Sequence, residues 1–160
     1  MAGFMLDHLK VGRAGTEELH IVTAGTHTID GQPMGLRTRG ALSAIPELAD
    51  AAFGRHRSRQ VYEADLIRAD LVVAMEADHV RFIRRQFPEA ADRTATIRRL
   101  CADLPPAPPP LGERVTALKL ADAALSDADD VIDPAGGDEA AYAACVGELW
   151  LLCQQLITLL

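Results

Sequence analysis

Leu71-Val72-Val73-Ala74-Met75 is an apolar run with no alternation. A strand exposed on one face alternates apolar with polar, whereas one covered on both faces reads as this run does. Asp78–Phe87 follows, with Val80, Ile83 and Phe87 on one side at helical spacing, Arg81, Arg84 and Arg85 elsewhere, and Pro88 as the stop. Thr94–Leu100, with Ile97 and Leu100, reads as the next strand. Strand, helix, strand is the unit from which parallel sheets are built.

The flanking segments extend this pattern. Leu19-His20-Ile21-Val22-Thr23-Ala24 is a β-branched run stopped by Gly25, which predicts a further strand. Ala2–Val11 places Met5, Leu6 and Leu9 at helical spacing and ends near Gly12. Gly31-Gln32-Pro33 and Gly35 mark a loop; Ser43 is the N-cap of a short helix through Leu48 and Phe53, closed by Gly54. Glu63–Arg68 predicts another short helix. Pro105, Pro106, Pro108, Pro109 and Pro110 read as a stiff, polyproline-like spacer rather than a PxxP ligand. Arg114–Leu125 predicts an amphipathic helix on Val115, Leu118, Ala121 and Leu125, and Glu139–Leu160 a last helix with a sustained apolar face. The result is an α/β layered fold with a parallel sheet, in which ligands sit at the carboxyl ends of the strands.

At 160 residues, 49% apolar and 24% charged, the chain makes one ordinary domain over residues 1–160 and is not disordered. Sixteen basic against 23 acidic residues give −7, which argues against a nucleic-acid partner but leaves room for a local basic pocket. Cys101, Cys145 and Cys153 have no Cys-x-x-Cys spacing, and on one helix Cys145 and Cys153 stand about 12 Å apart, too far to pair. Reduced thiols and a cytoplasmic address follow. Met1–Lys10 carries Asp7 and His8 and lacks the apolar stretch of a signal peptide. Ala140–Leu160 is broken by Glu148, Gln154 and Gln155 and reads as a poor membrane span.

No Walker, GxGxxG, HExxH or GxSxG motif occurs, and five scattered histidines give no metal-ligand spacing, so no metal or cofactor is implied. The acidic residues Asp127, Asp129, Asp130 and Asp133 lack the glycine and terminal glutamate of a calcium loop and read as a solvated helix-terminating loop. Asp133-Pro134 is more specific: proline biases Asp133 to an extended backbone, and a nearby Asp130 would raise its pKa by like-charge repulsion, as a general acid needs. An Asp-Pro pair is also an ordinary turn. Arg55, Arg57 and Arg59 are either a solvated face or a rim that steers a phosphate-sized anion.

Taken together, several segments resemble the low-molecular-weight protein-tyrosine phosphatases, a family shared with one class of arsenate reductases. Thr23-Ala24-Gly25-Thr26 is similar to its S-A-G-T, Gly31-Gln32-Pro33 to its G-x-P, and His56-Arg57-Ser58-Arg59-Gln60 to its H-x-A-R-Q. Asp70–Met75 is similar to its D-x-(apolar)-M strand, and Asp133-Pro134 with Gly136-Gly137 to the loop that carries the general acid. The resemblance implies a three-layer α/β fold with a parallel sheet flanked by helices (phosphotyrosine protein phosphatase I-like). It also implies hydrolysis of phosphate monoesters through a cysteinyl phosphate. Asp133 would be the general acid, Arg57 and Arg59 weak candidates for substrate binding, and the substrate a phosphoprotein or small phosphate ester, with no nucleic acid, membrane or cofactor.

The departures are as informative. The family's nucleophile lies in a loop of cysteine, five residues, arginine, then serine or threonine, between the first strand and the first helix, and Met1-Ala2-Gly3-Phe4 is similar to the residues after it. Six positions beyond Cys101, Cys145 and Cys153 stand Ala107, Leu151 and Leu159, so the chain as given has neither nucleophile nor anion cradle. Ala135 stands where the family commonly places an aromatic wall. The family's first strand lies between those corresponding to Leu19–Ala24 and Leu71–Met75, so its absence would leave open strand edges. Three explanations are expected to compete: a shortened reading of a longer, active product, which the intact remainder favours; a non-catalytic pseudo-phosphatase; or a domain completed by another chain's strand. Arsenate reduction ranks below phosphatase because it needs further cysteines near the nucleophile.

Overall fold

The computed structural model describes residues 1–13, 15, 16 and 18–160. The fold is α/β: a small parallel sheet, flanked by helices, in a chain that divides into two compact units. One comprises Met1–Gln60 with Ile132–Ile157, the other Val61–Val131 with Thr158–Leu160.

The second unit holds the sheet. Strand β1 (Val72–Ala74) pairs in parallel with β2 (Thr94–Thr96), in the register Val72–Thr94, Val73–Ala95, Ala74–Thr96. Helix α4 (Ala77–Gln86) makes the crossover, and α3 (Glu63–Arg68) precedes β1. The predicted strand, helix and stop of this segment are all present. Leu66, Ile83 and Ala90 form the core of the crossover, with Val61, Val72, Phe82 and Phe87 packed on it. The start of α4 is tied down by Asp130, whose Oδ1 accepts the Ala77 N–H at 2.6 Å, while the Val131 N–H donates to the Met75 carbonyl at 2.9 Å. Val72 and Val73 are only half-buried, so the run is less covered than its composition predicts.

Two elements of this unit differ from expectation. Thr94–Leu100 is not one strand: β2 stops at Thr96 and α5 (Ile97–Asp103) begins at once. Thr96 is its N-cap, its hydroxyl accepting the Arg99 N–H, and Ile97, Leu100 and Cys101 share the buried face by i, i+3, i+4 spacing. The amphipathic helix lies earlier than predicted, as α6 (Leu111–Ala117), because Lys119 takes a left-handed φ of 50° that closes the turn. The proline segment is no extended spacer. Arg114, only 4% exposed, donates from Nε to the Pro109 carbonyl (2.7 Å) and from Nη1 to the Pro105 carbonyl (2.8 Å). One guanidinium reaching both carbonyls holds the loop closed, where four polyproline steps would span about 12 Å.

In the first unit α1 (Ala2–Leu9) carries Met5 and Leu6 into the core. Its Gly3 approaches Thr23 so closely that an added Cβ would stand 2.3 Å from the threonine methyl. Phe4 meets Phe53 edge-on at 5.0 Å and His56 at 5.9 Å. The helix predicted from Ser43 lies ahead of it, as α2 (Leu36–Ser43); single 3₁₀ turns follow at Pro46–Leu48, with Pro46 at the first position, and at Phe53–Arg55. Helix α7 (Glu139–Leu159) is capped by Asp138, whose Oδ1 accepts the Ala141 N–H at 2.9 Å.

 Its buried face is Cys145, Val146, Leu149, Cys153, Leu156 and Ile157. By length and composition α7 could cross a membrane, contrary to the reading of its polar interruptions, but this buried stripe is that of a helix packed on one side.

The strand predicted at Leu19–Ala24 does not form. The segment has no regular structure, and among the described residues His20–Ala24 make no backbone hydrogen bond. His20 and Val22–Ala24 are exposed, Val22 by 61%. Strand-forming residues become a strand only when a neighbouring backbone completes their hydrogen bonds.

Candidate functional site

Three of the motifs singled out in the sequence converge in the first unit. The Gly25 N–H donates to the Arg59 carbonyl (2.9 Å), and Gly25 bridges Gln60 in parallel. The Gly31 N–H donates to the Ser58 carbonyl and the Ser58 N–H to the Gln32 carbonyl, both at 2.8 Å, and Pro33 bridges Arg57. Gln60 closes the loop between them. Its Nε2 donates to the Thr26 carbonyl at 2.6 Å, its Oε1 accepts the Thr28 N–H at 3.2 Å, and its own N–H donates to Asp30 Oδ1 at 2.6 Å. Thr23–Thr26, Gly31–Pro33 and His56–Gln60 are therefore one hydrogen-bonded assembly.

Asp133 is exposed and begins a tight turn, its Oδ1 accepting the Ala135 N–H at 3.0 Å. Gly136, at a φ of 81°, lets the chain reverse so that the Gly137 N–H reaches the Pro134 carbonyl at 2.8 Å. Arg37 of α2 donates to the Gly137 carbonyl at 3.1 Å and ties the turn to that helix. Asp133, Pro134 and Ala135 line a cleft of about 330 Å³ together with Ile132, Cys145 and Glu148. Asp130 has a different task from the one expected of it, since its carboxylate holds the start of α4.

Cys145 and Glu148 are the cleft residues that sequence reasoning passed over. The sequence reading weighs Cys145 only for disulfide pairing and Glu148 as an interruption of an apolar tract; their i, i+3 spacing on α7 is the available signal. Burial, and then the charges of Glu148 and Asp133, push the Cys145 thiol up, so it is held protonated and is a poor nucleophile. The Met1 α-amino group is buried near Cys153 and Cys145, and burial pushes its pKa down. His56 is also pushed below its ordinary value, first by burial, then by that amino group and Arg57.

The Arg57 guanidinium donates to the carbonyls of Gly54 (2.9 Å) and His56 (2.7 Å), so it folds back on its own turn. The Arg59 side chain is half-buried. Among the described residues no group of three or more His, Cys, Asp or Glu side chains could hold a metal ion.

The family model for low molecular weight phosphotyrosine protein phosphatases matches residues 1–105. The chain belongs to that family. A phosphatase-like function follows from that membership. The match takes in the hydrogen-bonded assembly and β1 and ends before Asp133. No curated protein matches. Solved structures do. The YwlE arginine phosphatase from Geobacillus stearothermophilus is 24% identical, with a TM-score of 0.69 over 97% of this chain and 79% of its own. The low molecular weight protein tyrosine phosphatase from T. tengcongensis is 23% identical, with a TM-score of 0.66 over 96% and 88%. The protein tyrosine phosphatase from Entamoeba histolytica is 18% identical, with a TM-score of 0.69 over 98% and 84%. These likenesses show the fold.

Proposed function

We propose that the chain is the scaffold of a protein-tyrosine-phosphatase-like hydrolase of phosphate monoesters. Asp133 is its general acid, and its first strand and Cys-x5-Arg loop are encoded ahead of Met1. The 160 residues alone are then inactive. The observation that carries this reading is the run His20–Ala24, strand-forming in sequence yet without backbone hydrogen bonds among the described residues. In the other unit β1 likewise has β2 as its one described neighbour. Open donors and acceptors along a strand-forming run are a template for pairing, so such edges call for another strand.

In this mechanism the backbone N–H groups of the added loop and the N-terminus of α1 stabilise the phosphate dianion, and the loop arginine grips two of its oxygens. The cysteine thiolate attacks phosphorus. Asp133 protonates the departing phenolate and then activates the water that hydrolyses the cysteinyl phosphate. Asp133 is favoured for this by its place on the cleft lining and by the turn that fixes it. Arg59, with Arg57 behind its local carbonyl contacts, is kept as a candidate for steering the anion. Cys101, Cys145 and Cys153 are all buried and none is in a disulfide, which suits a reducing cytoplasmic setting and weighs against an arsenate-reductase relay.

The test uses the protein extended by its in-frame upstream codons. Asp133→Asn slows hydrolysis of phenyl phosphate, a poor leaving group, by about 100-fold or more, and p-nitrophenyl phosphate far less. Equal losses for both would remove Asp133 from the role of acid. A stop codon directly upstream of Met1 would overturn the proposal as a whole.

A further inference from the structure

The cleft beside Asp133 carries a second carboxylate that the proposed phosphatase chemistry does not use. Its volume of about 330 Å³ is enough for a small organic group. Asp133 and Glu148 line it, and no Lys, Arg or His side chain does. The whole lining comes from residues 132–148 of the first unit, a stretch without one basic residue. Ala135, Ala141 and Ala144 are small and leave the space between the carboxylates open.

Helix α7 brings Glu148 to this place. Ala141, Cys145 and Glu148 follow at helical spacing and share the face of α7 that borders the cleft. Glu148 is half-buried, so water answers its charge only in part. The Cys145 thiol registers that charge. After burial, Glu148 is the first influence that pushes it up and Asp133 the second, with the Met1 amino group as the smaller, opposing one. Arg37 of α2 is the cation bonded to this segment, and its guanidinium is turned to the Gly137 carbonyl. Two carboxylates on one small cleft repel each other, and a positive charge placed between them offsets the repulsion. The phosphate end of a substrate is a dianion held by the cradle, so the positive charge belongs to the leaving group.

We propose that Glu148 is a specificity-determining residue of the cleft, and that it selects phosphate monoesters whose leaving phenol or alcohol carries a positive charge. The phosphate end of this substrate rests on the phosphatase reading; the cationic end rests on the cleft alone.

The test has two arms, so that the two readings fail separately. In the first, the 160-residue chain is titrated with tyramine, a phenol with an ammonium tail, and with neutral 4-ethylphenol, by amide NMR. Tyramine shifts the amides of Ala144, Cys145 and Glu148 saturably, with a dissociation constant of about 1–10 mM, and 4-ethylphenol does not saturate in that range. Glu148→Gln keeps the shape, removes the charge and weakens tyramine about tenfold. In the second arm, the protein extended upstream hydrolyses tyramine phosphate and 4-ethylphenyl phosphate. Glu148→Gln lowers the ratio of their kcat/KM values about tenfold. Equal binding of the two phenols, shifts confined to other surfaces, or a ratio that Glu148→Gln leaves unchanged would overturn the proposal. Failure of the extended protein to hydrolyse p-nitrophenyl phosphate counts against the phosphatase reading instead, and the tyramine titration still decides the cation site.

Discussion

His56 stands half-buried at the edge of the Phe4 ring, where burial, the Met1 amino group and Arg57 all disfavour its charged form. The unfolded chain, with an ordinary histidine near 6.5, therefore takes up this proton before the folded one does. Its contribution to stability is full above about pH 6.5 and declines as pH falls through the interval down to the lowered folded value. Denaturant unfolding between pH 7.5 and 5 should show the wild type losing stability more steeply than His56→Gln. Parallel curves would mean that His56 is not held neutral by the fold. In the sequence His56 was legible as the head of a motif, but its environment was not, because Phe4 and Met1 lie more than 50 positions away.

At the scale of elements, what could be read was what local chemistry decides. The strand at Val72–Ala74, α4 with its Pro88 stop, and α3 at Glu63–Arg68 lie where apolar spacing and punctuation put them. The misreadings came from competing signals. Ile97 and Leu100 suit a strand or a helix, and only the Thr96 cap decides between them. Helix α6 was displaced because its anchor is a buried cation rather than an apolar stripe. Arg114 binds the Pro105 and Pro109 carbonyls and also donates to the Leu159 carbonyl near the end of α7. Arg114→Leu removes the three bonds made by this buried guanidinium, so it should cost about 2–4 kcal/mol in chemical denaturation. A loss below about 0.5 kcal/mol would show that the proline loop holds its shape without it.

For the molecule as a whole, the α/β class and the family were legible because motifs spaced along the chain carry them, and the structure joins three of these motifs by main-chain hydrogen bonds. The coil at Leu19–Ala24 was not legible, because a strand is a property of a pair of backbones and one run of residues does not show what lies beside it. The cleft was half legible: Asp133 announced itself through Pro134, whereas Cys145 and Glu148 needed the fold of α7 to reach it. The central claim is that residues encoded ahead of Met1 supply the anion cradle and the attacking sulfur. It is tested most directly by assaying p-nitrophenyl phosphate hydrolysis by the 160-residue chain and by the protein extended upstream, side by side. Turnover by the extended protein alone is the expected result; turnover by the 160 residues themselves, or by neither, would contradict it.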